Sequence, residues 1–193
     1  MLRRLYDWTL ELAGHKHAMW ALFFVAFIES SIFPIPPDVL LIPMVLAAAT
    51  KAWRIALVCT VGSVLGGMAG YGIGFFVFEE VGRPILETYH ALAKFEEMRG
   101  LYNEHGALIV FSAGFSPIPY KVFTIASGVA DMNIVSFAAA SLLGRGARFF
   151  LVAALLWKFG DPIKAFIDRH LAKLTLAFVV LLALGFVAIK YLL

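Results

Sequence analysis

The apolar positions of this chain fall into runs of two lengths. Ile55 to Phe78 is 24 residues without a charge. As a helix it extends about 36 Å, enough to cross a bilayer with some tilt. Ile134 to Trp157 has the same length but carries Arg145 and Arg148 near its middle. Leu174 to Ile189 is shorter, 16 residues between Lys173 and Lys190, and spans if both lysines snorkel. The remaining runs are half as long. Ala18 to Ile28 and Val39 to Ala49 are 11 residues each; Gly106 to Phe115 and Val122 to Ala130 are 10 and 9. Each reaches about 16 Å or less as helix, half a bilayer.

A proline cluster separates the halves of each short pair. Phe33-Pro34-Ile35-Pro36-Pro37-Asp38-Val39 returns 83 positions later as Ser116-Pro117-Ile118-Pro119-Tyr120-Lys121-Val122, and the two copies use five of the eight prolines. Prolines this dense break a helix rather than bend it. Two half-length arms around such a break predict a re-entrant hairpin, with tips at Pro34, Pro36, Pro37 and at Pro117, Pro119. The unpaired backbone of the tips must then be buried in protein or line a wet cavity. The competing reading is one long kinked crossing helix at each place.

The repeat continues beyond the hairpins. Ser63-Val64-Leu65-Gly66-Gly67-Met68-Ala69-Gly70-Tyr71 matches Ser141-Leu142-Leu143-Gly144-Arg145-Gly146-Ala147-Arg148-Phe149 at a shift of 78, as does Gly82-Arg83-Pro84 with Gly160-Asp161-Pro162. Each unit is a hairpin plus one crossing helix, so the second unit starts from the opposite face. The expected fold is an all-α integral membrane protein, an inverted repeat of re-entrant hairpin plus transmembrane helix, with an additional C-terminal transmembrane helix. One membrane domain covers 1–193. It divides into an interfacial N-terminal helix (1–17), repeat 1 (18–82), an amphipathic linker (83–105), repeat 2 (106–160), and a linker with the C-terminal helix (161–193). In the amphipathic linker Ile85, Tyr89, Leu92 and Tyr102 recur at helical spacing.

Composition agrees with a membrane protein. The chain is 62% hydrophobic with mean hydropathy +0.87 and 15% charged residues, against about 25% charged in a soluble domain. The net charge of +3 is too small for a nucleic-acid partner. Cys59 is the lone cysteine, which excludes an intrachain disulfide and a cysteine-based metal site. Arg3 and Arg4 are followed by Asp7 and Glu11, and no cleavage site follows, so no signal peptide is expected. The basic residues divide as nine (Arg3, Arg4, Lys16, Lys51, Arg54, Lys158, Lys164, Arg169, Lys173) against four (Arg83, Lys94, Arg99, Lys190). That asymmetry favours a cytoplasmic N-terminus. Trp20, Trp53 and Trp157 read as interface anchors, and the histidines as surface residues. No HExxH, GxSxG or Walker loop is present, so the chain is read as neither enzyme nor metalloprotein, and without a cofactor.

Five ionisable residues remain inside apolar sequence: Glu29, Asp38, Lys121, Arg145 and Arg148. Each costs about 2.5–3.5 kcal/mol at a helix centre on insertion scales, so they must pair or face water. If the tips meet across a pseudo-twofold axis, Asp38 and Lys121 are symmetry mates and approach each other. Glu29 then descends toward the arginines. Gly62, Gly66, Gly70 and Gly74 form a small-residue stripe for close helix packing, and Arg148 aligns with Gly70 on that inward face. Two acids against three bases leave a surplus positive charge suited to an anion, unless Asp131 cancels it.

These residues carry a resemblance. Phe27-Ile28-Glu29 with Pro34-x-Pro36-Pro37-Asp38 resembles the first hairpin of the DedA proteins, also called the SNARE-associated Golgi or VTT-domain family. Gly114 to Phe123, Gly128 and Gly144-Arg145-Gly146-Ala147-Arg148-Phe149 resemble its YqaA-like branch. The resemblance implies facing re-entrant hairpins and the movement of lipid between leaflets. Bacterial relatives are linked to recycling of a phosphorylated lipid carrier and to the proton-motive force, and eukaryotic relatives to phospholipid scrambling. The family's acidic pair maps onto Glu29 and Asp38. Two arginines common around the second hairpin proline are Gly114 and Tyr120 here, with Lys121, or Arg145 and Arg148, in their place. The expectation is a lipid transporter or scramblase whose partners are membrane lipids and protons, with Glu29 as the coupling site. The rival readings are a proton-coupled transporter of a small solute or ion, and a non-catalytic membrane organising protein.

Overall fold

In the computed structural model, residues 17–32, 36–88, 90, 92–116, 118–160 and 162 are described. The N-terminal interfacial segment, the tips Pro34 and Pro117, and the expected C-terminal crossing helix Leu174–Ile189 lie outside them. Among the described residues the fold is all-helical. Helix α1 (Ala18–Ser31) and helix α2 (Asp38–Ala47) flank the first proline cluster. A short 3-10 turn leads into α3 (Ala52–Val77), which passes through a π-helical turn into α4 (Arg83–Thr88). Helix α5 (Leu92–Phe115) and helix α6 (Tyr120–Val129) flank the second cluster, and α7 is Ile134–Gly160. The continuous helical stretch Ala49–Thr88 and helix α7 are long and apolar enough to cross a membrane. Helices α1, α2 and α6 are 14, 10 and 10 residues, about 21 Å or less.

Helix α5 joins the expected amphipathic linker to the expected first arm of the second hairpin without interruption. Gly100, Gly106 and Gly114 interrupt its helix-forming sequence, and none of them stops a helix by itself. The turn before it contains His90 at φ 52, and Phe95 of α5 stacks on Phe78 at 4.5 Å between ring centroids.

Backbone contacts at glycines fix the directions of the helices. Along α3, Gly62 faces Phe23, Gly66 faces Phe27 and Gly70 faces Ser30, so α1 advances in the same direction as α3. Helix α2 returns, because Ala47 leads straight back to the start of α3. The second half repeats this pattern. Gly144 of α7 faces the Phe111 carbonyl, and α6 returns to the start of α7. Helices α3 and α7 run in opposite directions: Trp53 meets Trp157 at one end, and Tyr71 meets Phe137 at the other. Each returning arm packs on the long helix of the other half. Gly74 lies on the Ile125 carbonyl of α6 and Gly128 on that of Tyr71, while Leu46 of α2 touches Gly160.

Two apolar cores result. One gathers Leu22, Leu41, Val45, Ile55, Cys59 and Phe149; the other gathers Tyr71, Val110, Tyr120, Met132 and Phe137. Polar side chains occupy the level between them, halfway along α3 and α7. The ends are closed by local devices. The Asn133 side-chain oxygen accepts from Val135 N and Ser136 N at 3.1 and 3.0 Å, capping α7. The Ala130 carbonyl after α6 accepts from Arg99 and Asn103 at 2.8 and 3.0 Å.

The glycine contacts predict a contrast. A Cβ on Gly66 falls on the Phe27 carbonyl oxygen, whereas one on Gly72 meets nothing within 4 Å. Gly66→Ala is expected to cost about 1–3 kcal/mol by overpacking. Gly72→Ala is expected to be neutral or to stabilise by up to about 1 kcal/mol through helix propensity. Thermal unfolding of the purified variants in detergent compares the two.

Candidate functional site: a charged layer between two apolar cores

Among the described residues Arg145 is the most buried charge, 3% exposed at mid-length of α7. Its Nη2 donates to Glu29 Oε2 at 2.7 Å, and its Nε donates to Ser63 Oγ at 2.5 Å. Ser30 Oγ donates to Glu29 at 3.0 Å and lies 2.7 Å from Ser63 Oγ. The guanidinium sits over the rings of Tyr120 and Phe149, 4.9 and 4.7 Å from their centroids. A buried cation surrounded by a carboxylate, hydroxyls and two aromatic faces is held in one position. Tyr120 completes this side by donating to Ser141 Oγ at 2.5 Å.

Arg148, one turn further along α7, serves both proline breaks. Its Nη2 donates to Asp38 Oδ2 at 2.7 Å, and its Nη1 donates to the Ser116 carbonyl at 2.8 Å. Asp38 begins α2, where a carboxylate also favours the positive helix end. Ser116 follows α5, so its carbonyl is one that the helix cannot satisfy itself. The Arg148 Nε is buried without a partner. Lys121 mirrors part of this arrangement. Its Nζ donates to the Ile32 carbonyl, just past the end of α1, at 3.2 Å. Thr124 Oγ1 reaches the Ser30 carbonyl at the same 3.2 Å.

The layer therefore contains all five charges singled out in the sequence, with different pairing. Glu29 meets an arginine as expected. Asp38 does not meet Lys121; its partner is Arg148. The reason lies in the crossed packing. Each returning arm lies on the other half's long helix, so the two arm residues face different helices rather than each other. In the repeat register Arg148 corresponds to Gly70, so the helix opposite Lys121 offers no charge. Among the described residues Lys121 has no carboxylate partner. Asp131 does not supply one, because it pairs with Arg99 at 2.5 Å at the far end of α6. Ser30, Ser63, Thr124 and Ser141 escaped the sequence reading. The matched Ser63 and Ser141 heading the repeat block were the available signal.

The VTT-domain family profile matches residues 35–158, from the first proline cluster to the end of α7. The chain belongs to the VTT-domain, or DedA, family. It is 38% identical to an uncharacterized protein of Haemophilus influenzae over 186 residues, 96% of each chain. An uncharacterized Histophilus somni protein is 37% identical over 151 residues, 78% of each. YkoX, an uncharacterized membrane protein of Bacillus subtilis, is 28% identical over 174 residues, 84% of this chain and 76% of that protein. No solved structure gives a significant match. Family and long apolar helices together make this VTT-domain chain a membrane protein. Its charged layer lies within the matched region except for Glu29 and its neighbours on α1.

Double-mutant cycles on unfolding free energy separate the observed pairing from the alternative. Asp38→Asn with Arg148→Met is expected to show a coupling of about 0.5–3 kcal/mol, and Asp38→Asn with Lys121→Met to be additive within about 0.5 kcal/mol. Arg145→Met strands Glu29 in the interior and is expected to cost about 3–5 kcal/mol.

Proposed function

We propose that this VTT-domain protein moves a lipid with an anionic head group between the leaflets of a bacterial inner membrane, in the manner of a transporter or scramblase, with proton coupling through Glu29 or Asp38. The observation that carries the reading is Lys121. It is a cation without a carboxylate partner among the described residues, bonded to a helix-end carbonyl in the layer halfway along both long helices. A membrane interior does not leave such a charge uncompensated without a purpose, and an anion can enter where no acid is built in. The buried and unpartnered Arg148 Nε adds a donor to the same layer.

The two helical pairs are read as re-entrant hairpins of an inverted repeat. Support comes from the direction of the helices, forward along α1 and back along α2 before α3, and again along α5 and α6 before the opposed α7. Irregular backbone at depth is tolerated where it is buried or lines a cavity, and here cations cover the exposed carbonyls. The N-terminus is assigned to the cytoplasm from the excess of basic residues at that face. One part of the layer favours a structural role. Glu29, Arg145, Ser30 and Ser63 satisfy one another, which suits a device that fixes helix register.

A liposome assay with a fluorescent anionic lipid and an external quencher tests the reading. The purified protein is expected to speed loss of inner-leaflet fluorescence relative to empty liposomes, and Lys121→Met to slow it severalfold. Rates equal to empty liposomes would overturn the lipid-transport reading. Run with a pH gradient, Glu29→Gln is expected to fold and to lose the gradient response; an unchanged response would leave Glu29 a structural partner of Arg145.

A further inference from the structure

Antiparallel packing of α3 and α7 brings the first turn of one beside the last turn of the other. Trp53 stacks on Phe150 and lies against Trp157, with ring centroids 6.1 Å apart in both pairs. Trp53 and Trp157 are 47% and 54% exposed, and Phe159 is exposed beside them. Lys51, Arg54 and Lys158 flank the rings and are exposed as well. Among the described residues this end carries no acid. Glu29 and Asp38 belong to the central layer. The other described acids, Glu79, Glu80, Glu87, Glu96, Glu97, Glu104 and Asp131, belong to the opposite half or its end. There Arg83 and Arg99 are each paired with carboxylates.

We infer that the Trp53–Trp157 end is a docking face for anionic lipid head groups of the adjoining leaflet. The cations attract phosphate within a Debye length of the surface. The indole rings occupy the glycerol level with their N–H groups available as donors. Zwitterionic lipid offers the rings the same apolar contact but gains less from the three cations, so the face selects by charge. This docking stands apart from the transport reading. It concerns the rim of the molecule and requires no movement of lipid.

The test uses the full chain carrying Trp8→Phe and Trp20→Phe, so that emission comes from Trp53 and Trp157. It is reconstituted in phosphatidylcholine bilayers containing equal fractions of either brominated phosphatidylcholine or brominated phosphatidylglycerol. Brominated phosphatidylglycerol is expected to quench severalfold more effectively. The preference is expected to vanish in K51Q/R54Q/K158Q and at high ionic strength. Equal quenching in the parent, or a preference unchanged in the triple variant, overturns the assignment. Emission that follows protein density instead of bromination puts a second copy on the face and overturns it too. Should the triple variant fail to insert, the salt series on the parent decides, since a preference that survives high salt is not made by these cations.

Discussion

Arg148 holds two interrupted helices with one side chain. Its guanidinium joins the carboxylate that begins α2 to the carbonyl that follows α5. Each proline cluster interrupts helical hydrogen bonding and leaves polar backbone at the level of the apolar cores. Such groups are costly unless satisfied, and lipid cannot satisfy them. Two cations of the second half meet the need, Arg148 on the Ser116 carbonyl of its own half and Lys121 on the Ile32 carbonyl of the first half. The second half thus covers the carbonyls at both breaks, and Asp38 is the first half's contribution to the same contacts. Removing a cation would expose a carbonyl, and for Arg148 would also strand Asp38.

The glycines make these contacts geometrically available. Gly62 and Gly66 let α1 lie directly on α3, while Gly74 and Gly128 bring α6 equally close to its other half. At that separation the short Ser30, Ser63 and Thr124 side chains reach across helix boundaries. Arg145 then fills the space between them, with Tyr120 and Phe149 as its apolar walls. Close packing, hydroxyl bonding and ion pairing are therefore consequences of one arrangement. The arrangement is also unequal in its two halves, since Gly70 stands where symmetry with Arg148 would place a second arginine. Lys121 meets no charge at that position and bonds a carbonyl instead, and the proposed function depends on it.

Much of this was legible in the sequence because membranes restrict the choices. Run length separated α3 and α7 from the short helices, proline density located the breaks, and charge in apolar sequence selected Glu29, Asp38, Lys121, Arg145 and Arg148. The pairing was not legible. Repeat alignment shows which residues are equivalent, and equivalence suggests that Asp38 and Lys121 meet at an axis. Contact depends instead on which helix each arm covers, and the arms are exchanged between halves. The hydroxyls were invisible for another reason. A serine in an apolar run costs little and signals little until the donor opposite it is known. The continuity of α5 was hidden by a change of composition at Gly106, where polarity changes but helix formation does not.

The proposed function requires the chain to turn back at its breaks within the membrane. Single cysteines at Lys16 and Lys51, in a Cys59→Ser background, bracket α1 and α2 and report this directly with a membrane-impermeant maleimide. Labelling of both from the same side is the expected result. Labelling from opposite sides would make α1 and α2 a true crossing and contradict the paired-hairpin arrangement.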